Sequence, residues 1–145
     1  MAEEDNIQFA EQQIAAFNAR DLDQYLSRID ASYVAESETA PGPILGPEGV
    51  RHTLDTLLGA FPDLHLEAEQ ILASGDYVIV RLRLTATHKG TFAGIAPTNR
   101  SVSWRGCNVV ELRNGKAIQA RVYADNASLF QQLGVLSLPK ATAAG

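Results

Sequence analysis

Three polar side chains in the second half of the chain are suited to proton chemistry on a small molecule. His88 ends one alternating segment, Asn108 lies inside the next, and Asp125 follows the last one. An imidazole or a carboxylate can carry a proton, and an amide can stabilise a developing oxyanion. Each residue also has a structural interpretation, as a core histidine, a satisfied amide or a helix cap. We take all three as candidate catalytic residues.

Metal and cofactor chemistry has little support in the sequence. The three histidines, His52, His65 and His88, lie on different predicted elements without a short ligand spacing. Cys107 is the only cysteine, which excludes an internal disulfide and a sulfur-rich metal site. The glycine-rich segments are typical of turns and lack a strand-to-helix phosphate loop. We expect no metal and no cofactor.

Composition limits the partners and the number of domains. The 145 residues, 46% of them hydrophobic, suffice for one domain, which we place at 1–136 with a disordered tail at 137–145. A net charge of −5 does not indicate the positively charged surface that nucleic-acid binding requires. No signal peptide pattern and no membrane-length apolar run are present, which predicts a cytoplasmic protein. A hydrophobic small molecule is the expected ligand.

Helical spacing dominates the first sixty residues. Apolar residues three and four apart predict a first amphipathic helix, namely Ile7, Ala10, Ile14 and Phe17. Asp21 is a good N-cap for a second helix, whose apolar period continues over 22–33. A third helix is predicted over 47–61, because Pro47 suits a first turn and Pro62 ends the pattern.

After Pro62 the period becomes alternating, which indicates strands. The clearest follows the Gly75-Asp76 turn, and two more are predicted over 101–112 and 116–124, before a short C-terminal helix that Asp125 could cap. These elements predict an α+β fold, in which a curved antiparallel sheet packs on three N-terminal helices and forms a cone with an open mouth. Such a cone is a ligand pocket.

The turn after the second of these strands decides which side chains share the cone. A two-residue turn at Asn114-Gly115 would put Asn108 on the same face as Arg121. A three-residue loop with Gly115 in the left-handed conformation instead puts Asn108 beside Val122. The second arrangement gives a mostly apolar inner face, and we therefore predict it.

With that register, the side chains of His88, Trp104 and Asn108 should converge on one apolar cavity, with Val122 in its wall. Trp104 would offer a flat wall to a ring-shaped ligand, although a lone tryptophan on a sheet is also typical of core packing. Further candidates for substrate contact come from the predicted helices, namely Phe17, Tyr33 and Leu54.

Several motifs together resemble one family. They are Phe61-Pro62-Asp63-Leu64-His65, Thr87-His88-x-Gly90-x-Phe92-x-Gly94-Ile95-x-Pro97-Thr98, Asn114-Gly115-Lys116, and Asp125 followed by Gln131-Gln132-Leu133-Gly134. In this order they resemble the SnoaL-like polyketide cyclases, which share the cone-shaped fold of nuclear transport factor 2 and ketosteroid isomerase. The resemblance extends from the first helix to Gly134.

The resemblance implies a cofactor-free enzyme that acts by acid–base chemistry on a polyketide-like or other cyclic substrate, through cyclisation, isomerisation or hydration. The family's catalytic Asp on the last strand falls on Val122, a second Asp falls on Asp125, and the assisting His falls on Asn108. An asparagine cannot hold a transferable proton near neutral pH. The alternative is therefore a non-catalytic binder or carrier of a hydrophobic small molecule.

The outward positions of the predicted strands are polar and charged. They include Arg81, Arg83, Arg105, Glu111, Arg121 and Tyr123. A polar face of this kind can bury a standard-sized interface. We predict a homodimer that forms through this outer face of the sheet.

Overall fold

A computed structural model describes residues 2–38, 40–137 and 139. The described helices are α1 Glu3–Asn18, α2 Leu22–Ser27, α3 Gly46–Ala60 and α4 Asn126–Gln132. The strands are β1 Ile29–Ser37, β2 Ile44–Leu45, β3 His65–Ser74, β4 Tyr77–Thr87, β5 Ser101–Arg113 and β6 Lys116–Ala124. The predicted α+β class is confirmed.

The six strands form one curved open sheet with the order β2-β1-β6-β5-β4-β3. Neighbouring strands are antiparallel, except that β1 and β6 run parallel. Helix α1 packs across β3 and β4, α3 packs on β1, and α4 covers part of β5. The inner face of the sheet and α1 thereby enclose the cone.

The second helix is shorter than predicted. It begins after Asp21, whose side chain accepts the backbone N–H of Gln24 at 3.2 Å, and it ends at Ser27. The chain then continues as β1, where the buried Ile29 and Tyr33 lie on one face. A spacing of four fits a helix and also fits two periods of a strand, so the apolar pattern alone could not separate the two structures.

The turn between β5 and β6 has two residues, and the predicted three-residue loop is wrong. Asn114 and Gly115 both have positive φ, at 52° and 77°, and Arg113 pairs with Lys116. This conformation is typical of a type I′ turn, whose twist matches that of the two strands it joins. Asparagine followed by glycine is the sequence best suited to it.

A β-bulge close to the turn shifts the faces of β6. The pairing changes from Glu111 opposite Gln119 to Leu112 opposite Ala117, which leaves Ile118 without a residue opposite it. One extra residue moves every following side chain to the other face of the strand. Beyond the bulge, β6 therefore directs Ala120 and Val122 into the cone, as the predicted three-residue loop would also have done. Close to the turn, Ala117 lies inside the cone in place of Ile118.

Within the described residues, no helix is both long and apolar enough to cross a lipid bilayer. The predicted disordered tail at 137–145 lies outside the described residues, apart from 137 and 139.

Candidate functional site

The cone contains a cavity of about 120 Å³ between α1, α2 and the inner face of the sheet. Its walls are mainly apolar and include Phe9, Ile14, Val80, Ala120 and Val122. Four polar side chains interrupt these walls, namely Gln13, Tyr25, Tyr33 and Asn108. An apolar cavity with a few convergent polar groups is the usual form of a small-molecule site.

Asn108 and Val122 are direct cross-strand neighbours in the wall of this cavity. The Asn108 amide has no hydrogen-bond partner among the residues that the structure describes. The amide is therefore available to a ligand, whereas the structural interpretation required it to be hydrogen-bonded within the protein. The two positions on which the cyclase resemblance places a His and an Asp thus lie side by side.

Tyr33 reaches the same cavity from β1. Its side chain is buried, and within the described part of the chain no group bonds its hydroxyl. Burial raises the pKa of Tyr33, and the proximity of Tyr25 raises it further. Burial also raises the pKa of Tyr25. Both phenols therefore stay protonated at neutral pH and can donate hydrogen bonds to an oxygen of a ligand.

Gln13 is a cavity residue that the sequence analysis missed. Its Nε2 atom donates to the backbone carbonyl of Tyr25 at 3.0 Å, which fixes the amide and leaves Oε1 as an acceptor. The signal was present in the sequence, because Gln13 follows Ala10 by three residues and precedes Phe17 by four. A polar residue on the buried stripe of a helix is a candidate site residue.

His88 lies outside this cavity, which corrects the predicted convergence. Its side chain is fully buried, and its ring centroid lies 5.5 Å from that of Phe61. The Nδ1 atom accepts the backbone N–H of Thr98 at 3.2 Å and lies 3.0 Å from the Thr98 hydroxyl. His88 therefore holds the loop between β4 and β5 against the core, as in its structural interpretation.

Trp104 is also a core residue and, like His88, lies next to Phe61 outside the cavity. It is buried, and its ring centroid lies 5.4 Å from that of Phe61. Trp104 and Asn108 face the same way on β5, but four residues at about 3.3 Å each separate them by roughly 13 Å. The alternating pattern correctly predicts which face of the sheet a side chain occupies, but it does not predict which side chains lie close together along the strand. The predicted single cluster of His88, Trp104 and Asn108 is wrong for this reason.

Asp125, Phe17 and Leu54 do not line the cavity either. Asp125 is exposed, and its Oδ1 accepts the backbone N–H of Ser128 at 3.0 Å, so that it caps α4. Phe17 is buried against Tyr25, with their ring centroids 6.5 Å apart, and Leu54 is buried within α3. Phe17 and Leu54 thus belong to the hydrophobic core, and Asp125 belongs to the start of α4.

The cavity lining carries no formal charge. Among the described residues that line it there is no Asp, Glu, His, Cys, Lys or Arg. In the same part of the chain, no three potential metal ligands lie close enough to share an ion. The chemistry available at this site is therefore hydrogen bonding from phenols and amides in an apolar surrounding.

A larger and more open groove of about 450 Å³ lies between α4 and the ends of β4 and β5. Four of its polar residues are bonded to one another: the Asp63 carboxylate accepts the N–H and hydroxyl of Thr87, and the Gln132 amide bonds the backbone of Ser103. The smaller cavity in the cone, with unpartnered polar groups, is the better candidate site.

The fold and the cone agree with one family. The sequence model of the SnoaL-like polyketide cyclases matches residues 7–133. The chain therefore belongs to the SnoaL-like polyketide cyclase family.

Individual relatives support this assignment. The chain is 26% identical over 130 residues to the aklanonic acid methyl ester cyclase DnrD of Streptomyces peucetius, a match that covers 88% of this chain and 90% of DnrD. The crystal structure of AclR, a proposed hydroxylase from Streptomyces galilaeus, has a TM-score of 0.84 at 29% identity and covers 94% of this chain and 100% of AclR. IdmH, a proposed polyketide cyclase from Streptomyces antibioticus, has a TM-score of 0.78 at 26% identity, with coverages of 88% and 97%.

Proposed function

We propose that the protein is a cyclase-type enzyme that closes a ring in a neutral polyketide-like substrate, with Tyr33 and Asn108 as hydrogen-bond donors to the reacting oxygens. The observation that carries this proposal is the pair of unpartnered polar groups in an apolar cavity. Membership of the cyclase family supports it, as does DnrD, which by its name acts on a methyl ester.

The proposed reaction is an intramolecular aldol addition. A methylene carbon between two carbonyls loses a proton to solvent, and the resulting enolate carbon forms a bond to a distant carbonyl carbon, whose oxygen becomes an alkoxide. This alkoxide then takes a proton from solvent to give the hydroxyl of the aldol product. Tyr33, with its raised pKa, remains a phenol and donates to one of these oxygens, while the Asn108 amide donates to another. Donors held in an apolar site stabilise such charges more than water does.

Solvent takes the proton in this scheme because no lining residue of the described chain titrates near neutral pH. His88 and Asp125 have structural roles and are not assigned to the reaction. Cyclisation without a side-chain base is feasible for a methylene flanked by two carbonyls, since such a carbon is a far stronger acid than an ordinary ketone.

The experiment is the cyclisation of a linear ester, methyl 3,5,7-trioxooctanoate, whose aldol closure forms one six-membered ring. Tyr33→Phe and Asn108→Leu should each lower the rate above background by roughly 10²-fold, the usual effect of losing an oxyanion donor. Tyr77→Phe removes an exposed phenol from the outer face and serves as the matched control. Equal rates for Tyr33→Phe, Asn108→Leu and the unmodified protein would refute the assignment.

The second candidate function is a binder or carrier of such a molecule. It is favoured by the same uncharged lining, which contains no side-chain base able to take a proton from a substrate at neutral pH. Saturable binding of the ester together with a cyclisation rate equal to the background would identify a carrier.

A further inference from the structure

We propose, as a deepening of the function above and resting on it, that the cone accepts one neutral oxygenated six-membered ring and excludes fused polycycles. The buried part of the substrate is then a single ring, or a chain segment that closes into one. Three observations on the cavity lead to this inference: its size, its fixed width and its lack of charge.

The size of the cavity matches one ring. Its volume is about 120 Å³, whereas pockets for drug-sized ligands are roughly 300–1,000 Å³. An apolar cavity of about 150 Å³ in another protein holds benzene. A second fused ring would need displacement of the walls.

The width of the cavity is fixed by ties between α1 and the sheet. At one end of the helix, Asn6 donates to the Gly75 carbonyl and Glu3 accepts the Gly75 N–H, both at 3.0 Å. At the other end, the Asn18 amide bonds the N–H and the carbonyl of Leu66, both at 2.9 Å. Moving α1 outward to admit a larger ligand would break both pairs of hydrogen bonds.

The lining selects a neutral ligand with both donor and acceptor groups. Among the described residues no cation faces the cavity, so a buried carboxylate would exchange its full hydration for only the hydrogen bonds of Tyr33 and Asn108. Tyr33 and Asn108 can donate to a ring oxygen, and the Gln13 carbonyl can accept from a hydroxyl. A dihydroxylated or enolised ring meets both requirements.

The test is a binding series followed by nuclear magnetic resonance at neutral pH, with resorcinol, 1,3-dihydroxynaphthalene and 3-hydroxybenzoate as probes. Resorcinol should bind saturably and shift the side-chain amide signals of Asn108. The bicyclic diol and the charged acid should each bind at least about ten-fold more weakly. Equal or tighter binding of either one, or no saturable binding of resorcinol, would overturn the inference.

A variant pair shows whether the size limit belongs to this cavity. Val122→Ala removes two methyl groups from the wall and should narrow the affinity gap between the one-ring and two-ring diols. Val34→Ala, on the exposed side of β1, is the matched control and should keep the gap. An unchanged gap in Val122→Ala would mean that the ring binds elsewhere. These binding measurements need no turnover, so they remain interpretable if the protein does not catalyse cyclisation. Conversely, tighter binding of the two-ring diol would overturn the size limit without excluding a cyclase.

Discussion

Among single residues, Asn108 and Val122 determine which chemistry the site can perform. They are paired across β5 and β6, where the family resemblance places a His and an Asp. Paired side chains have Cβ atoms about 4.5–5.5 Å apart, so that a base and its assisting group would be in contact there. In this chain the pair consists of the Asn108 amide and the Val122 methyl groups, which can donate a hydrogen bond and pack against a ligand but cannot transfer a proton.

The double variant Val122→Asp/Asn108→His should introduce a side-chain base into the cavity. Burial raises the pKa of such a carboxyl above its ordinary value of about 3.9, which favours proton abstraction. At neutral pH, cyclisation of the linear ester should accelerate by roughly 10²–10⁴-fold.

The pH profile identifies the cause of that gain. In the unmodified protein the rate should keep rising with pH, because solvent supplies the base. In the double variant it should level off above the pKa of the new carboxyl. Val34→Asp, on the exposed side of β1, is the control. A folded double variant with an unchanged rate and profile would contradict the proposed role of this position.

At the scale of elements, the loop between β4 and β5 is fixed to the end of α3. Lys89 and Gly90 both donate backbone N–H groups to the Ala60 carbonyl, at 2.9 and 3.0 Å. A Cβ added at Gly90 would overlap the carbonyl oxygen of Gly59, a backbone atom that cannot rotate away. This contact explains a glycine within the sequence motif that also contains His88.

Gly90→Ala should therefore destabilise the protein by about 1–3 kcal/mol in chemical denaturation. Gly59→Ala meets no atom within 4 Å and should stabilise the helix by up to about 1 kcal/mol. Resorcinol binding should be the same in both, because the cavity and the His88 loop are separate regions. Loss of binding in folded Gly90→Ala would contradict this separation.

The elements also show what the sequence could and could not predict. The three long strands and the caps at Asp21 and Asp125 followed from local patterns. The position of Val122 beside Asn108 was predicted from a wrong loop, because the extra residue Ile118 has no local signal and arises from pairing between strands. The depth of Trp104 in the cone likewise depends on tertiary packing, which periodicity does not report.

At the scale of the whole molecule, the outer face of the sheet remains the predicted dimer surface. Glu69 pairs with Arg105 at 2.8 Å and with Arg83 at 3.6 Å, and the hydrogen bond from Arg105 lowers the pKa of Glu69. Beside this network lie apolar residues of neighbouring strands, which include Leu72, Ile79 and Val109. An apolar centre with a charged rim is the usual anatomy of a protein–protein interface.

Sedimentation equilibrium should therefore give twice the 15.6 kDa of one chain at micromolar concentration. Val109→Arg, at the centre of this face, should shift the protein to monomers, because it places a charge in the apolar part. Thr56→Arg, exposed on α3, should leave the dimer intact. A monomer for the unmodified protein would exclude the prediction.

We expect a ligand to bind inside the cone, against Tyr33 and Asn108. The most direct measurement is a crystal structure of the protein soaked with resorcinol. We predict a single ring beside Val122, with its oxygens within hydrogen-bond distance of the Tyr33 hydroxyl and the Asn108 amide. A ring bound next to His88, or in the larger groove beside Asp63, with the cone empty, would contradict this binding site.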